Sequence, residues 1–331
     1  VLILDEPTSN LDPIATKHVF ETLYQIREKR DLTVIIIEHK LSQLIPLEPE
    51  FYELELGEIV PGTGIDLTQS SIVQSTDHRY SYFETITRTT EVLIELSKVN
   101  VDLDGHRILN QIDLKIKPGE FIALMGPNGS GKSTLLETIM GFHPLQSGSC
   151  TVFNKSQVNK KTSALVGDIG YVFQNPDHQL FTQSVWYEAT FTSSNLSVLD
   201  EEKIARAKKW LEQMGLCARL EDHPQRLSYG EKRRLNLISA MLHSPKLLLI
   251  DELLIGQDWE NAHQWMDFLN DYTKLGGAVL LVNHHSDLTQ SYCDRIVFLD
   301  QGFIILDLPI SSAFQEINAC LLYTSDAADE E

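Results

Sequence analysis

Gly126-Pro127-Asn128-Gly129-Ser130-Gly131-Lys132-Ser133 is the stretch from which the fold can be read. It fits G-x-x-x-x-G-K-[ST]. On its N-terminal side, Phe121 to Met125 is an apolar run of strand length. On its C-terminal side, Thr134 to Met140 can open a helix. Strand, glycine-rich turn and helix together predict an α/β chain of the P-loop NTPase kind. A bare glycine turn with an exposed lysine explains the glycines but not their flanks. Glycines let the backbone wrap tightly enough for its amides to face phosphate oxygens. A helix N-terminus adds partial positive charge. Asn128, Gly129, Ser130, Gly131, Lys132, Ser133 and Thr134 are therefore the expected nucleotide-binding set. Lys132 is placed to reach the β- and γ-phosphates and Ser133 to hold Mg2+.

A second apolar run, Leu247-Leu248-Leu249-Ile250, ends in Asp251-Glu252. Buried parallel strands read as continuous apolar runs, and α/β sheets bind ligands at the carboxyl ends of their strands. Two carboxylates there suit nucleotide chemistry: Asp251 supports Mg2+, and Glu252 orients or deprotonates the attacking water. A strand ending in two acids is weak evidence alone. With a P-loop lysine 119 positions upstream of Asp251, it becomes specific.

The same pattern occurs twice. Residues 1–60 begin VLILDEPTSNLD and reach TVIIIEHKL. Residues 247–305 begin LLLIDELLIGQD and reach AVLLVNHHSDL. Asp5 and Asp251, Glu6 and Glu252, and Asp12 and Asp258 are each 246 positions apart, whereas His39 and His284 are 245 apart. Both copies close with a strand–turn–strand pattern, FYELELGEIV and IVFLDQGFII. The expected organisation is a C-terminal remnant of a first domain at 1–61, a Ser/Thr-rich linker at 62–90 and a second domain at 91–310. On this reading the N-terminal part of domain one is missing. The tail at 311–331 is set aside: from Cys320 onward, CLLYTSDAADE resembles the translation of a transposase adapter used in preparing DNA libraries.

Composition narrows the partners. The formal charge is −20, with 27 basic and 47 acidic residues. Such a chain is a poor general binder of phosphate backbones, although a local basic patch is compatible with it and Lys232-Arg233-Arg234 is one candidate. No stretch approaches about 18 consecutive apolar residues, the length a spanning helix needs. Cys150, Cys217, Cys293 and Cys320 are scattered, so neither a zinc site nor a disulfide framework is indicated.

Family resemblance enters with Leu227-Ser228-Tyr229-Gly230-Glu231, 23 positions ahead of Asp251 measured from Ser228. The run resembles the signature motif of ABC ATPases, usually LSGGQ. That likeness implies an ABC ATPase fold: a mixed core sheet flanked by helices, with a helical subdomain carrying the signature. It implies that Ser228 and Gly230 bind the γ-phosphate of ATP held on an opposing domain. It also implies that Gln174 is the Q-loop glutamine touching Mg2+, that His284 is the switch histidine, and that Asp258 is the D-loop aspartate. Asp5 (toward Mg2+), Glu6, Asp12 and His39 take the matching roles in domain one. Tyr229 and Glu231 depart from the usual Gly and Gln. Leu253-Leu254 replaces the Pro-Thr present in domain one. The usual adenine-stacking aromatic is absent near Leu103, which leaves an aliphatic contact or His106 for the base.

Asn175-Pro176-Asp177-His178-Gln179-Leu180-Phe181 further resembles the ATPases of energy-coupling factor importers, which take up vitamins and metal ions. That subgroup includes tandem ATPases fused in one chain. The resemblance implies ATP and Mg2+ as cofactors, integral membrane transporter subunits as partners and a pseudo-dimer of two ATPase domains. It also implies a peripheral place on the cytoplasmic face of a bacterial membrane. Two alternatives stay open at this point. A translation factor of the ABC-F group also carries two ATPase domains, with a longer charged connector. A nucleotide-binding regulator of low turnover would fit the altered signature and D-loop.

Overall fold

The computed structural model describes residues 1–5, 7, 13–29, 32–37, 44, 49–55, 57–61, 92–156, 162–254, 259–313 and 316. The chain divides into two units, Val1–Ser81 and Tyr82–Glu331. The linker expected at 62–90 and the tail from 317 onward lie outside the described residues.

In the first unit, β1 (Leu2–Asp5), α1 (Pro13–Lys29) and β2 (Val34–Ile37) form a parallel strand–helix–strand unit, and β3 (Tyr52–Glu55) and β4 (Glu58–Pro61) form a hairpin. Leu2, Leu4 and Ile36 pack with Val19 of α1 against Phe20, Leu23 and Leu44. The other face of the strand pair is bare, with Ile3 66% and Ile35 50% exposed.

The second unit begins with β5 (Ile94–Leu103), β6 (His106–Ile116) and β7 (Phe121–Met125), followed by α2 (Lys132–Met140), β8 (Ser147–Val152), β9 (Lys155–Ser156) and β10 (Ile169–Val172). A helical layer comes next: α3 (Val185–Asn195), α4 (Glu201–Gln213) and α5 (Tyr229–Met241). The chain then returns to the sheet through β11 (Leu247–Asp251), α6 (Trp259–Lys274), β12 (Ala278–Val282), α7 (Ser286–Tyr292), β13 (Arg295–Asp300) and β14 (Phe303–Pro309). Each helix of the layer starts where a short polar side chain satisfies an orphan amide. Ser184 accepts from the Tyr187 amide at 3.2 Å, and Asp200 from the Lys203 amide at 2.8 Å. Ser228 and Glu231 cap α5 reciprocally.

The main sheet has the order β10-β11-β12-β7-β13-β14, parallel except for the antiparallel edge pair β13–β14. Every residue of β10, β11 and β12 is buried, as apolar strands covered on both faces must be. A second, antiparallel sheet runs β6-β5-β8-β9. The core lies between the two sheets and α2, where Leu135, Leu136 and Ile139 meet Leu249, Leu280 and Val282. Helices α3 and α4 pack on α5, and Trp210 of α4 meets Phe268 of α6 edge-on at 5.1 Å. The mixed core sheet, the flanking helices and the helical layer that carries Ser228 and Gly230 match the architecture expected from the sequence.

The strand pairs of the two units match residue for residue. Leu2 faces Val34 and Asp5 faces Ile37, while Leu248 faces Val279 and Asp251 faces Val282. The connecting helices have 17 and 16 residues, so the one-residue slip of the sequence repeat falls between the paired strands. The closing hairpins also agree: Glu55 pairs Glu58 around Gly57, and Asp300 pairs Phe303 around Gly302. Both turn glycines have φ above +80°.

Candidate nucleotide-binding site

Between β7 and α2 the chain turns through residues 126–131. Gly126 adopts φ +141°, and a Cβ there would lie 1.9 Å from the Leu299 carbonyl oxygen. Gly131 caps α2 at φ +104°. The loop is tied to the β13–β14 turn, whose Gly302 amide donates to the Ser130 carbonyl at 3.0 Å. Lys132 is 6% exposed, and its Nζ donates to the carbonyls of Gly126 (2.9 Å) and Pro127 (2.8 Å). Ser130 is 3% exposed and its hydroxyl is buried without a partner. Thr134 lies in the first turn of α2, where its carbonyl accepts from Thr138 Oγ1 at 2.6 Å. Asn128 and Gly129 are exposed at the loop tip.

The ends of β10, β11 and β12 open on the same edge of the sheet as the loop. Strand β12 sits between β7 and β11, so Asp251 reaches the loop from one strand away. Asp251 is 4% exposed, and its Oδ1 is buried without a hydrogen-bond partner. Burial raises its pKa to about 6, with the Glu252 and Glu137 charges pushing the same way; a hydrogen bond from Ser133 and the Lys132 charge oppose the rise. A buried carboxylate oxygen lacking a donor, beside a serine hydroxyl and a buried lysine, fits a hard divalent cation such as Mg2+. That cation takes one or two protein oxygens and fills its shell from phosphate and water.

Glu252 follows with φ +53°, a left-handed backbone that non-glycine residues seldom adopt. Its carboxylate is held from two sides. Gln174 Nε2 donates to Oε2 at 2.6 Å, and His284 Nε2 lies 3.2 Å from Oε1. Burial drives its pKa up, but His284, Gln174 and the Lys132 charge outweigh that and keep it below the ordinary carboxylate value. Gln174, Glu252 and His284 thus come together, although they are spread over 110 positions of sequence.

Ser228 and Gly230 lie at the start of α5, the first exposed and the second half-buried. The Ser228 hydroxyl accepts from the Glu231 amide at 3.3 Å, and Glu231 Oε2 accepts from the Ser228 amide at 2.7 Å. Glu231 therefore has a local task that a glutamine would share. In the first unit, Asp5 ends β1 and is exposed. Glu6, Asp12, His39 and Asp258 lie outside the described residues.

One expectation is corrected. Lys232-Arg233-Arg234 is not a basic patch. Arg233 is 1% exposed, and Lys232 pairs with Asp177 at 2.7 Å. Sequence reasoning missed what Arg233 does. Its Nη1 donates to the Glu252 carbonyl, and its Nη2 donates to the Gln174 carbonyl at 2.5 Å and to the Tyr229 hydroxyl at 2.7 Å. The signal in the sequence was the arginine's spacing four positions after Tyr229, which puts the two on one helix face. The Leu253-Leu254 departure also has a physical reason, since both side chains are buried in the core.

Comparison with known proteins gives a consistent picture. A family pattern described as "ABC transporter" matches residues 109–254. A Methanosarcina mazei protein, provisionally named an ABC transporter ATP-binding protein, is 31% identical over 95% of this chain and 62% of its own length. A Bacillus subtilis relative, provisionally named an HMP/thiamine import ATP-binding protein, is 27% identical over 93% of this chain and 61% of its own. The chain thus spans about three-fifths of the length of these curated relatives. Among solved structures, cbiO1 from Clostridium perfringens, part of the ABC transporter complex cbiONQ, superposes with a TM-score of 0.61. It is 30% identical, over 69% of this chain and 93% of that one.

Proposed function

The chain belongs to the ABC transporter ATP-binding proteins, and from that premise we propose that its second unit binds and hydrolyses MgATP to power an importer of the energy-coupling factor type. The observation that carries this is the gathering of Lys132, Ser133, Asp251 and the Gln174–Glu252–His284 cluster at one edge of the main sheet.

Each group has a part that follows from its surroundings. The loop amides and Lys132 bind the phosphates, and Ser133 with Asp251 holds Mg2+. When bound, Mg2+ neutralises charge on the phosphate oxygens. Glu252, kept ionised by His284 and Gln174, accepts the proton of the attacking water or fixes its orientation. His284 and Gln174 hold that carboxylate in place. The work is positioning and charge stabilisation, with no covalent step on the protein.

Three observations support the finer reading. The relatives named for HMP/thiamine import and for the cbiONQ complex come from transport systems. The matched strand registers support two fused ATPase domains, the first represented by its C-terminal part. The segment after Gln174 presents Phe181, 66% exposed, and Tyr187, 47% exposed, both against Phe191. That aromatic shelf suits docking to a membrane subunit, at the cytoplasmic face of the membrane. Among the described residues no helix is long and apolar enough to cross a bilayer. In the complete protein, Ser228 and Gly230 would complete the ATP site of domain one.

Calorimetric titration of this chain with MgATP tests the site. Saturable binding is expected, weakened more than about tenfold by Lys132→Ala, which removes a charge-assisted contact. Glu252→Gln should leave that binding in place and cut ATP turnover of the complete two-domain protein by about 10²–10⁴, the range for a general base. Unchanged turnover would remove Glu252 from the mechanism.

A further inference from the structure

The signature position that departs most from its family is also the one best connected inside its own domain. Tyr229 is the first residue of α5, and its hydroxyl accepts from Arg233 Nη2 at 2.7 Å and donates to the Gln174 carbonyl at 3.3 Å. The Arg233 guanidinium lies 5.0 Å from the Tyr229 ring centroid, within cation–π range. The same guanidinium bonds the carbonyls of both Gln174 and Glu252. The side chains of those two residues are joined at 2.6 Å. Gln174 and Glu252 are thus clamped twice, side chain to side chain in front and carbonyl to guanidinium behind.

The rear clamp falls where the backbone needs it. Glu252 sits at φ +53°, a conformation that persists only when surrounding structure fixes it. Arg233 is 1% exposed, so its hydrogen bonds are made out of water, where they hold geometry strongly. A lysine ammonium lacks the two separate, coplanar nitrogens with which this guanidinium reaches one carbonyl each. Tyr229 fixes the guanidinium from above, and it does so from the end of the helix that carries Ser228 and Gly230.

We propose that Arg233 and Tyr229 are positioning residues for the Glu252–Gln174 pair, and that through them the start of α5 is mechanically linked to the hydrolytic carboxylate of its own domain. The proposal rests on the reading of this unit as an ATPase. A ligand meeting Ser228 and Gly230 would then bias Glu252 within the same unit, so that the second unit's own ATP site senses whether the start of α5 is occupied.

Tyr229→Phe keeps the ring and removes the hydroxyl bonds, and at 45% exposure the residue tolerates the change without threat to folding. The first readout is backbone hydrogen exchange on this chain. Exchange at residues 252–254 and 173–175 should accelerate about tenfold, the scale of one lost hydrogen bond to a charged group, while residues 126–134 keep the wild-type rate. The second readout is MgATP turnover of the complete protein, where kcat should fall several-fold with KM within twofold. Arg233→Lys should reproduce the loss, and more severely. Wild-type exchange at 252–254 together with wild-type kcat in Tyr229→Phe would overturn the proposal. A wild-type chain that fails to bind MgATP would instead sink the ATPase reading, and the exchange result would still decide whether the clamp exists.

Discussion

At the residue scale, Gly126 shows how little freedom the loop has. Its φ of +141° excludes ordinary side chains, and the Leu299 carbonyl occupies the place of a Cβ. Gly126→Ala should therefore either displace the turn or strain β13. It is expected to lower the urea midpoint by an amount equivalent to about 3 kcal/mol and to abolish MgATP binding together. Lost binding with an unchanged midpoint would mean that the glycine serves the ligand alone. The loop residues and Asp251 were legible in the sequence because their signal is local: glycines at fixed offsets, and an apolar run ending in acids. Arg233 was not. Three consecutive basic residues look alike on paper, and only the packing of α5 against the ends of β10 and β11 sends the middle one inward. Tyr229 was read as a departure from its family, but besides Arg233 its hydroxyl meets the Gln174 carbonyl, 55 positions upstream, a contact that no local pattern announces.

At the element scale, the connection from α5 to β11 contains a pH-sensitive group. His243, just past the end of α5, is 8% exposed. Burial pushes its pKa down to about 4, against the opposing pulls of the Val166 backbone and the Asp168 charge. An unfolded histidine titrates near 6.5. Between those two values the unfolded chain binds a proton that the folded chain refuses, so stability falls as pH drops through the window. The full loss is about 3 kcal/mol near pH 4, and none of it is present above the unfolded value. His243→Gln should flatten this part of the pH profile, measured as the difference in urea midpoint between pH 7.5 and 4.5 relative to wild type. An equal slope in the variant would assign the pH dependence elsewhere. The parallel strands were legible for the same reason as Asp251, since continuous apolar runs bounded by turns have few other readings. The irregularities of β5 and β6 were not. Lys98 and Gln111 adopt φ +49° and +48° where the register shifts, and their amides are taken by Asp113 and Asn100. Bulges fixed by cross-strand side chains leave no periodic trace in one strand read alone.

At the scale of the whole molecule, the strongest statement is the agreement between the two units. Leu2 to Asp5 pair with Val34 to Ile37 as Leu248 to Asp251 pair with Val279 to Val282. The faces nevertheless meet different fates, since Ile3 is 66% exposed and its counterpart Leu249 is fully buried. The sequence showed the duplication through repeated acids and histidines, but not the identity of the register, because a one-residue slip lay between the paired strands. The consequence is that the two seams should be interchangeable parts. Grafting the first seam into the second unit requires Leu249→Ile, Ile250→Leu, Leu280→Ile, Leu281→Ile and Val282→Ile. The four Leu–Ile exchanges conserve volume and should each cost less than about 1.5 kcal/mol, whereas Val282→Ile adds a methylene at a buried position and should cost about 1–3 kcal/mol, with cooperative urea unfolding and MgATP binding retained. A graft that melted without cooperativity would mean that the seams share an outline but not a fit. A graft that worked would make the chain a kit in which one strand pair, made twice, still answers to either address.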